Sequence, residues 1–185
     1  MTTMIIQQTK LVDCYEIIPD IYHDERGRLT KTFHQDTFAA HKLQTRFVEQ
    51  YYSSSRKKVL RGLHFQLPPH QHVKLVTCLF GIIVDAVVDL RVGSPTYGQF
   101  ALFDLRAEKG NMVYVPEGMA HGFYVVSESA IVVNNASSVY SPEYDCGIRW
   151  DSVGIPWEDE HPVLSQKDSS LVPFPLFQSP FVYEK

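Results

Sequence analysis

"KLVTCLFGIIVDAVVDLR", residues 74–91, decides the fold. Two runs dense in Val, Ile and Leu flank Gly81. At a period of two, Asp85, Val87, Asp89 and Arg91 share one face of the second run, and Val84, Ala86, Val88 and Leu90 share the other. A helix would also bring Asp85 and Asp89 together, but the Ile and Val content favours extended chain. On either side, turn signals recur at short intervals: "PDIYHDERG", "LPPHQH", "GSPTYG", "EKGN", "PEG" and "SPEYDCG". Short β-branched and aromatic runs lie between them, the pattern of an antiparallel sandwich or barrel. The expected class is all-β, with a few short peripheral helices. One of these is "DTFAAHKL", with Asp36 as its N-cap. The tail, residues 170–185, carries prolines and aromatics and reads as extended segments with short turns.

The 185 residues, 44% apolar and 21% charged, suit one domain with a sizeable core. A net charge of −4 argues against a nucleic-acid partner. Cys14, Cys78 and Cys146 are widely separated and show no metal-finger spacing, as expected of reduced thiols in a cytoplasmic protein. No apolar run approaches the roughly 18 residues of a membrane helix. The opening "MTTMIIQQTKLVDC" has too short an apolar stretch for a signal peptide.

Chemistry concentrates in a few places. In "VLRGLHFQ" (59–66), Arg61 and His64 are three apart and would face opposite ways on a regular strand. A kink or bulge at Gly62 would reunite them as phosphate ligand and general base. The plainer reading is a packed histidine beside a surface arginine. In "HQHVKLV" (70–76), His70 and His72 could share a metal, but no acidic ligand follows nearby. Lys74 opens an otherwise apolar strand. It either snorkels to water or offers a fixed charge to an oxyanion. "YVPEGMAHGF" (114–123) makes a Pro-Gly turn that aims His121 back into a strand, a signal for a cupin barrel. In "LSQKD" (164–168), Asp168 is either a solvated loop carboxylate or a distant partner that fixes the His64 tautomer. Finally, "VVNNASSVYSPE" (132–143) sets two amides after an apolar run. Amides are poor strand formers, so either the pair is turn chemistry, the plain reading of Asn135, or one of the two faces a cavity.

"DERG", "VLRGLHFQ", a lysine ten residues after that histidine, "VDLRVGSPTYGQF", "VPEGMAHGF", "SPEYDCGIRW" and "PVLSQKD" occur in this order. Together, from about residue 15 to about residue 170, they resemble the dTDP-4-dehydrorhamnose 3,5-epimerase family, the cupin-fold nucleotide-sugar epimerases. The resemblance implies a jelly-roll subunit acting on a nucleoside-diphosphate 4-keto-6-deoxy sugar. No cofactor or metal is implied. It makes His64 the base, Asp168 its carboxylate partner and Lys74 the cation beside the C4 oxygen. Arg26, Arg61 and His121 become contacts to diphosphate and sugar, Tyr140 an aromatic near the nucleotide, and Lys167 a further binding residue. It also implies a homodimer with exchanged N-terminal strands, in which Arg26 would serve the neighbouring subunit.

Three positions depart from the family pattern. Asn134 stands where the family has a tyrosine acting as general acid, and an amide cannot donate a proton in that role. Lys31 replaces a usual glutamate, and "EQY" (Glu49 to Tyr51) replaces Gln-Asp-Asn. The expected activity is therefore epimerisation at C3, C5 or only one of them. The second proton would come from water held by Asn134, or from Tyr51, Tyr52 or Tyr140. The alternatives are a ketoisomerase or exchange reaction, and a non-catalytic cupin that binds a nucleotide sugar.

Overall fold

Alternating burial along the strands builds two facing sheets. The computed structural model of the chain describes residues 4–184; residues 1–3 and 185, the ends of the expected domain and tail, lie outside the described residues. The strands are β1 (Ile5–Gln8), β2 (Tyr15–Ile18), β3 (Asp20–Asp24), β4 (Gly27–Lys31), β5 (Glu49–Arg56), β6 (Leu60–Gln66) and β7 (Lys74–Phe80). They continue as β8 (Ile82–Asp89), β9 (Phe100–Arg106), β10 (Met112–Val115), β11 (Met119–Val125), β12 (Ser129–Ala136) and β13 (Asp145–Gly147). Two short helices, α1 (Gln35–Ala40) and α2 (Gln166–Ser169), and a 3-10 turn (Phe174–Leu176) complete the described elements. One sheet has the order β1-β2-β10-β7-β12-β5, the other β13-β6-β11-β8-β9, and among the described residues β3 pairs only with β4. All strand pairs within the sheets are antiparallel. This is the antiparallel all-β sandwich that the turn spacing predicts, in the cupin-type jelly-roll form that the family resemblance implies.

Three apolar layers hold it together. Between the sheets lie Val76, Ile83, Val87, Phe103, Val113, Phe123 and Val132. Outside the five-stranded sheet, Leu63, Phe65, Ala86, Val88 and Leu90 pack under Ile155, Phe181 and the aromatics of the tail. Outside the six-stranded sheet, Ile17, Leu75, Met112 and Tyr114 pack against Phe38 of α1. Both faces of β8 and β11 are therefore covered, which explains why β11 is buried along its whole length. The tail does run extended, with parallel bridges Ile148–Val172 and Val92–Val182 around its short 3-10 turn.

Two local expectations need correction. The strand in "IIVDAVVDLR" stops at Asp89, because the Asp89 carboxylate accepts from the Arg91 backbone N–H at 2.9 Å and turns the chain. Arg91 therefore lies past the strand, gripped by Asp89 and Asp13. In α1 the cap is His34, not Asp36: the imidazole Nδ1 accepts from the Thr37 N–H, and Asp36 falls in the first turn. There its negative charge still favours the helix N-terminus.

Candidate active site

The inner faces of the sheets turn polar at one end of the sandwich. On β7 the inward positions run Lys74, Val76, Cys78, and on β12 they run Val132, Asn134, Ala136. Strand pairing then sets Asn134 opposite Val76 on one side and opposite Tyr51 of β5 on the other. From the facing sheet come Arg61 and His64 of β6 and His121 of β11. Two adjoining hollows of about 350 and 290 Å³ open there, and Tyr51, His64, Lys74 and Lys167 line both. Their combined size is typical of small-molecule sites.

A local irregularity brings Arg61 and His64 into the same site. His121 pairs with His64 and Phe123 with Arg61, so Gly62 and Leu63 together oppose the single Gly122. That is a bulge, and it removes the opposite-face geometry of a regular strand. Gly62 adopts φ +142, and a Cβ there would sit 2.6 Å from the Gly122 Cα. Only glycine fits such a position. Arg61 is thereby turned toward Ser55, whose Oγ accepts from its Nε at 2.9 Å, and both Arg61 and His64 line the inner hollow.

His64 Nε2 lies 2.5 Å from Asp168 Oδ1. A carboxylate can only accept, so Nε2 carries the proton and Nδ1 is left bare as a proton acceptor. Asp168 is no solvated loop residue: it is 3% exposed and sits in α2. Its backbone N–H is capped by Ser165 Oγ at 3.0 Å, which fixes it against β6. Burial alone would push its carboxyl upward, but hydrogen bonding and charge from His64 outweigh that and hold it below the usual aspartate range.

On the six-stranded sheet, Lys74 is 6% exposed. Burial pushes its ammonium down to about 8, with Asp145 and Asp85 holding it from falling further. His121 Nε2 meets Asp85 Oδ2 at 2.7 Å, and Asp85 is fully buried. Burial raises the Asp85 carboxyl, and His121 opposes the rise. A histidine base held by a carboxylate thus shares the hollow with a buried ammonium, whose Nζ donates to the His64 carbonyl oxygen at 3.4 Å. Such a pair suits removal of a proton from carbon beside a carbonyl whose oxygen gathers negative charge.

Toward the mouth, Tyr140 Oη donates to Asp145 Oδ2 at 3.0 Å, Lys167 also binds Asp145, and Glu49 Oε2 accepts from the Tyr140 N–H at 2.6 Å. The predicted residues Glu49, Arg61, His64, Lys74, His121, Asn134, Tyr140, Lys167 and Asp168 all line one hollow or the other. Arg26 and Lys31 do not. Both lie on the β3–β4 hairpin, where Arg26 is paired with Asp24 and points to solvent. Asn135 is not turn chemistry either: it sits inside β12 between Gln50 and Leu75, and its Oδ1 accepts from Gln50 Nε2 at 2.7 Å.

The HxH pair is occupied otherwise. His70 stacks on Tyr144 with ring centroids 4.4 Å apart, while His72 Nδ1 faces Gln66 Nε2 at 3.0 Å. Burial first, and then the charge of Lys74, pushes the His72 imidazole down to about 3, so it stays neutral. Among the described residues, no three His, Cys, Asp or Glu side chains converge as metal ligands. Sequence reasoning missed Asp85 as the partner of His121. Its signal was an aspartate inside an apolar strand, where an unpaired charge would be costly.

The chain resembles known proteins over most of its length. The family model described as dTDP-4-dehydrorhamnose 3,5-epimerase matches residues 8–175. A dTDP-4-dehydrorhamnose 3,5-epimerase of Shigella flexneri is 39% identical over 168 residues, covering 89% of this chain and 93% of that protein. The crystal structure of a dTDP-6-deoxy-D-glucose-3,5-epimerase from Legionella pneumophila Philadelphia 1, bound to dTDP-4-keto-L-rhamnose, superposes with a TM-score of 0.94. Its identity is 34%, over 99% of this chain and 100% of that one. A 3'-monoepimerase from Streptomyces bikiniensis, in complex with dTDP-quinovose, gives a TM-score of 0.86 at 27% identity, over 90% and 86% of the two chains.

Proposed function

The chain belongs to the dTDP-4-dehydrorhamnose 3,5-epimerase family and is an epimerase of nucleoside-diphosphate 4-keto-6-deoxy sugars; within it, we propose that His64 is the base. The observation that carries this assignment is the His64–Asp168 pair, which shares the inner hollow with Lys74. His64 Nδ1 takes the proton from the carbon beside the C4 ketone. The bonding pair moves into the enolate, whose oxygen is met by the Lys74 ammonium. Asp168 steadies the imidazolium that forms. Arg61 and His121 contact sugar and diphosphate in the inner hollow, while Tyr140, Glu49 and Lys167 hold the nucleotide end. No resident cofactor enters this proton chemistry.

Arg26 and Lys31 act across a dimer in this account. The β3–β4 hairpin that carries them pairs with no other strand among the described residues, and Tyr22 and Leu29 on it are 45% and 62% exposed. Those features suit a segment that reaches a second copy of the chain. No described helix is long and apolar enough to cross a membrane.

The test is incubation in D2O with a 4-keto-6-deoxyhexose linked to dTDP, CDP or GDP, with C3 and C5 followed by NMR. The expected result is deuterium at one or both carbons with inverted configuration. Deuterium with retention, or migration of the carbonyl, would replace epimerisation by an exchange or ketoisomerase reaction. No exchange with any of the three nucleotides would overturn the catalytic reading.

A further inference from the structure

Inversion needs two proton-transfer groups on opposite faces of the enolate. His64 enters from β6 in the five-stranded sheet. The donor must then come from the six-stranded sheet across the cavity. The inner hollow receives four side chains from that sheet: Tyr51, Ser53, Lys74 and Asn134. Asn134 is an amide and cannot act as an acid. The Ser53 hydroxyl is buried without a partner among the described residues, and an aliphatic alcohol is far too weak an acid for the role. Lys74 already faces the oxygen that carries the enolate charge in the account above.

Tyr51 is different. It is the cross-strand partner of Asn134. Side chains of directly paired residues project from the same face of a sheet, with Cβ atoms about 4.5–5.5 Å apart. Tyr51 therefore enters the cavity beside the amide, and it lines both hollows together with His64 and Lys74. Tyr52, next in sequence, points to the opposite face of β5 and is 72% exposed. The Tyr140 hydroxyl is committed to Asp145. Tyr51 is itself 44% exposed, at the open side of the cavity; among the described residues no hydrogen bond engages its hydroxyl, and partial burial first, then Glu49 and Asp145, raises the phenol above its ordinary value. It is thus fully protonated at neutral pH, as a donor must be.

We propose that Tyr51 supplies the second proton of the epimerisation, from the sheet face it shares with Asn134. The inference rests on the functional reading above. The Tyr51 Oη–H bond breaks as the new C–H bond forms on the face opposite His64. The enolate electron pair becomes that bond and the ketone is restored. One turnover leaves a Tyr51 phenolate and a His64 imidazolium, which solvent returns to their starting forms.

Tyr51→Phe separates the two half-reactions. Wild type and variant are incubated with the 4-keto-6-deoxyhexose nucleotide in D2O, and deuterium content and configuration are read by NMR. The variant is expected to exchange the α-hydrogen with retention, at a rate within about tenfold of the wild-type exchange, because His64 still removes and returns the proton. Inversion is expected to fall by on the order of 10²-fold or more. Adding Asn134→Tyr to this variant is expected to restore inversion, since the phenol then returns from the neighbouring position of the same face. Tyr52→Phe is expected to behave as wild type. Inversion that survives Tyr51→Phe overturns the assignment. So does joint loss of exchange and inversion, which would make Tyr51 a binding or structural residue, and so does a failed rescue by Asn134→Tyr. A wild-type protein that neither exchanges nor inverts the substrates overturns the functional reading itself, and this inference with it.

Discussion

Lys74→Met is expected to make the protein more stable and less active. Lys74 is 6% exposed, and its pKa falls from 10.5 to about 8 on folding. At about 1.4 kcal/mol per pH unit, keeping it charged costs the native state about 3 kcal/mol below pH 8. The sign follows from linkage. The folded pKa is depressed, so between pH 8 and 10.5 the unfolded chain binds more protons than the native one, and wild-type stability rises with pH across that window. Methionine keeps the length and packing of the stem without the charge. At pH 7 the variant should gain about 3 kcal/mol, or about 6–12 °C in Tm for a chain of this size. By pH 10 the advantage should shrink below about 1 kcal/mol, because native Lys74 is then neutral and most of the window up to the unfolded value of 10.5 has been crossed. Urea unfolding at pH 7 and pH 10, at one protomer concentration, reads both values. Epimerisation should drop by on the order of 10²–10³-fold, as expected when a group opposing developing negative charge is lost. The wild-type rate should itself decline above about pH 8. A variant less stable than wild type at pH 7, or a gain that is the same at both pH values, would refute the reasoning.

Asp168→Asn keeps the shape beside His64 but removes the charge that stabilises its imidazolium. The rate of proton abstraction should fall on the order of 10²–10⁴-fold with little change in KM, and steady-state kinetics would disprove the role by showing an unchanged kcat. Gly62→Ala should destabilise the fold by at least about 1–3 kcal/mol, because a Cβ would meet Gly122 Cα at 2.6 Å and φ +142 would be strained. It should also lower kcat by displacing the stretch between Arg61 and His64, and denaturation at wild-type urea concentrations would contradict the bulge argument.

The sheets were legible from the short β-branched runs between recurrent turn signals; on β12 burial alternates although the sequence does not, with Val132, Asn134 and Ala136 inward and Val133 and Asn135 partly covered. Asn134 was recognisable as a cavity residue because it stands where the resembling family has its acid tyrosine. Asn135 was misread because propensity describes an isolated amide. Here the side chain is satisfied by Gln50 of the neighbouring strand, a partner 85 residues away. The pairings of His64 with Asp168 and of His121 with Asp85 span 104 and 36 residues, so no local pattern reports them. The α1 cap was missed because a histidine ring can accept a backbone N–H as an aspartate does. Tyr51 was one of three candidate tyrosines in the sequence. Strand register, which fixes its pairing with Asn134, singles it out.

The proposed role of His64 is to abstract a proton from the carbon beside the sugar ketone. The rate of deuterium entry at C3 and C5, compared between wild type and His64→Asn in D2O, tests it most directly. Asparagine removes the basic nitrogen; its amide overlays the Nδ1 side of the ring and ends short of the Nε2 position that meets Asp168. Exchange is expected in the wild type, with a loss on the order of 10²–10⁴-fold in the variant. Exchange at the wild-type rate in His64→Asn would contradict it.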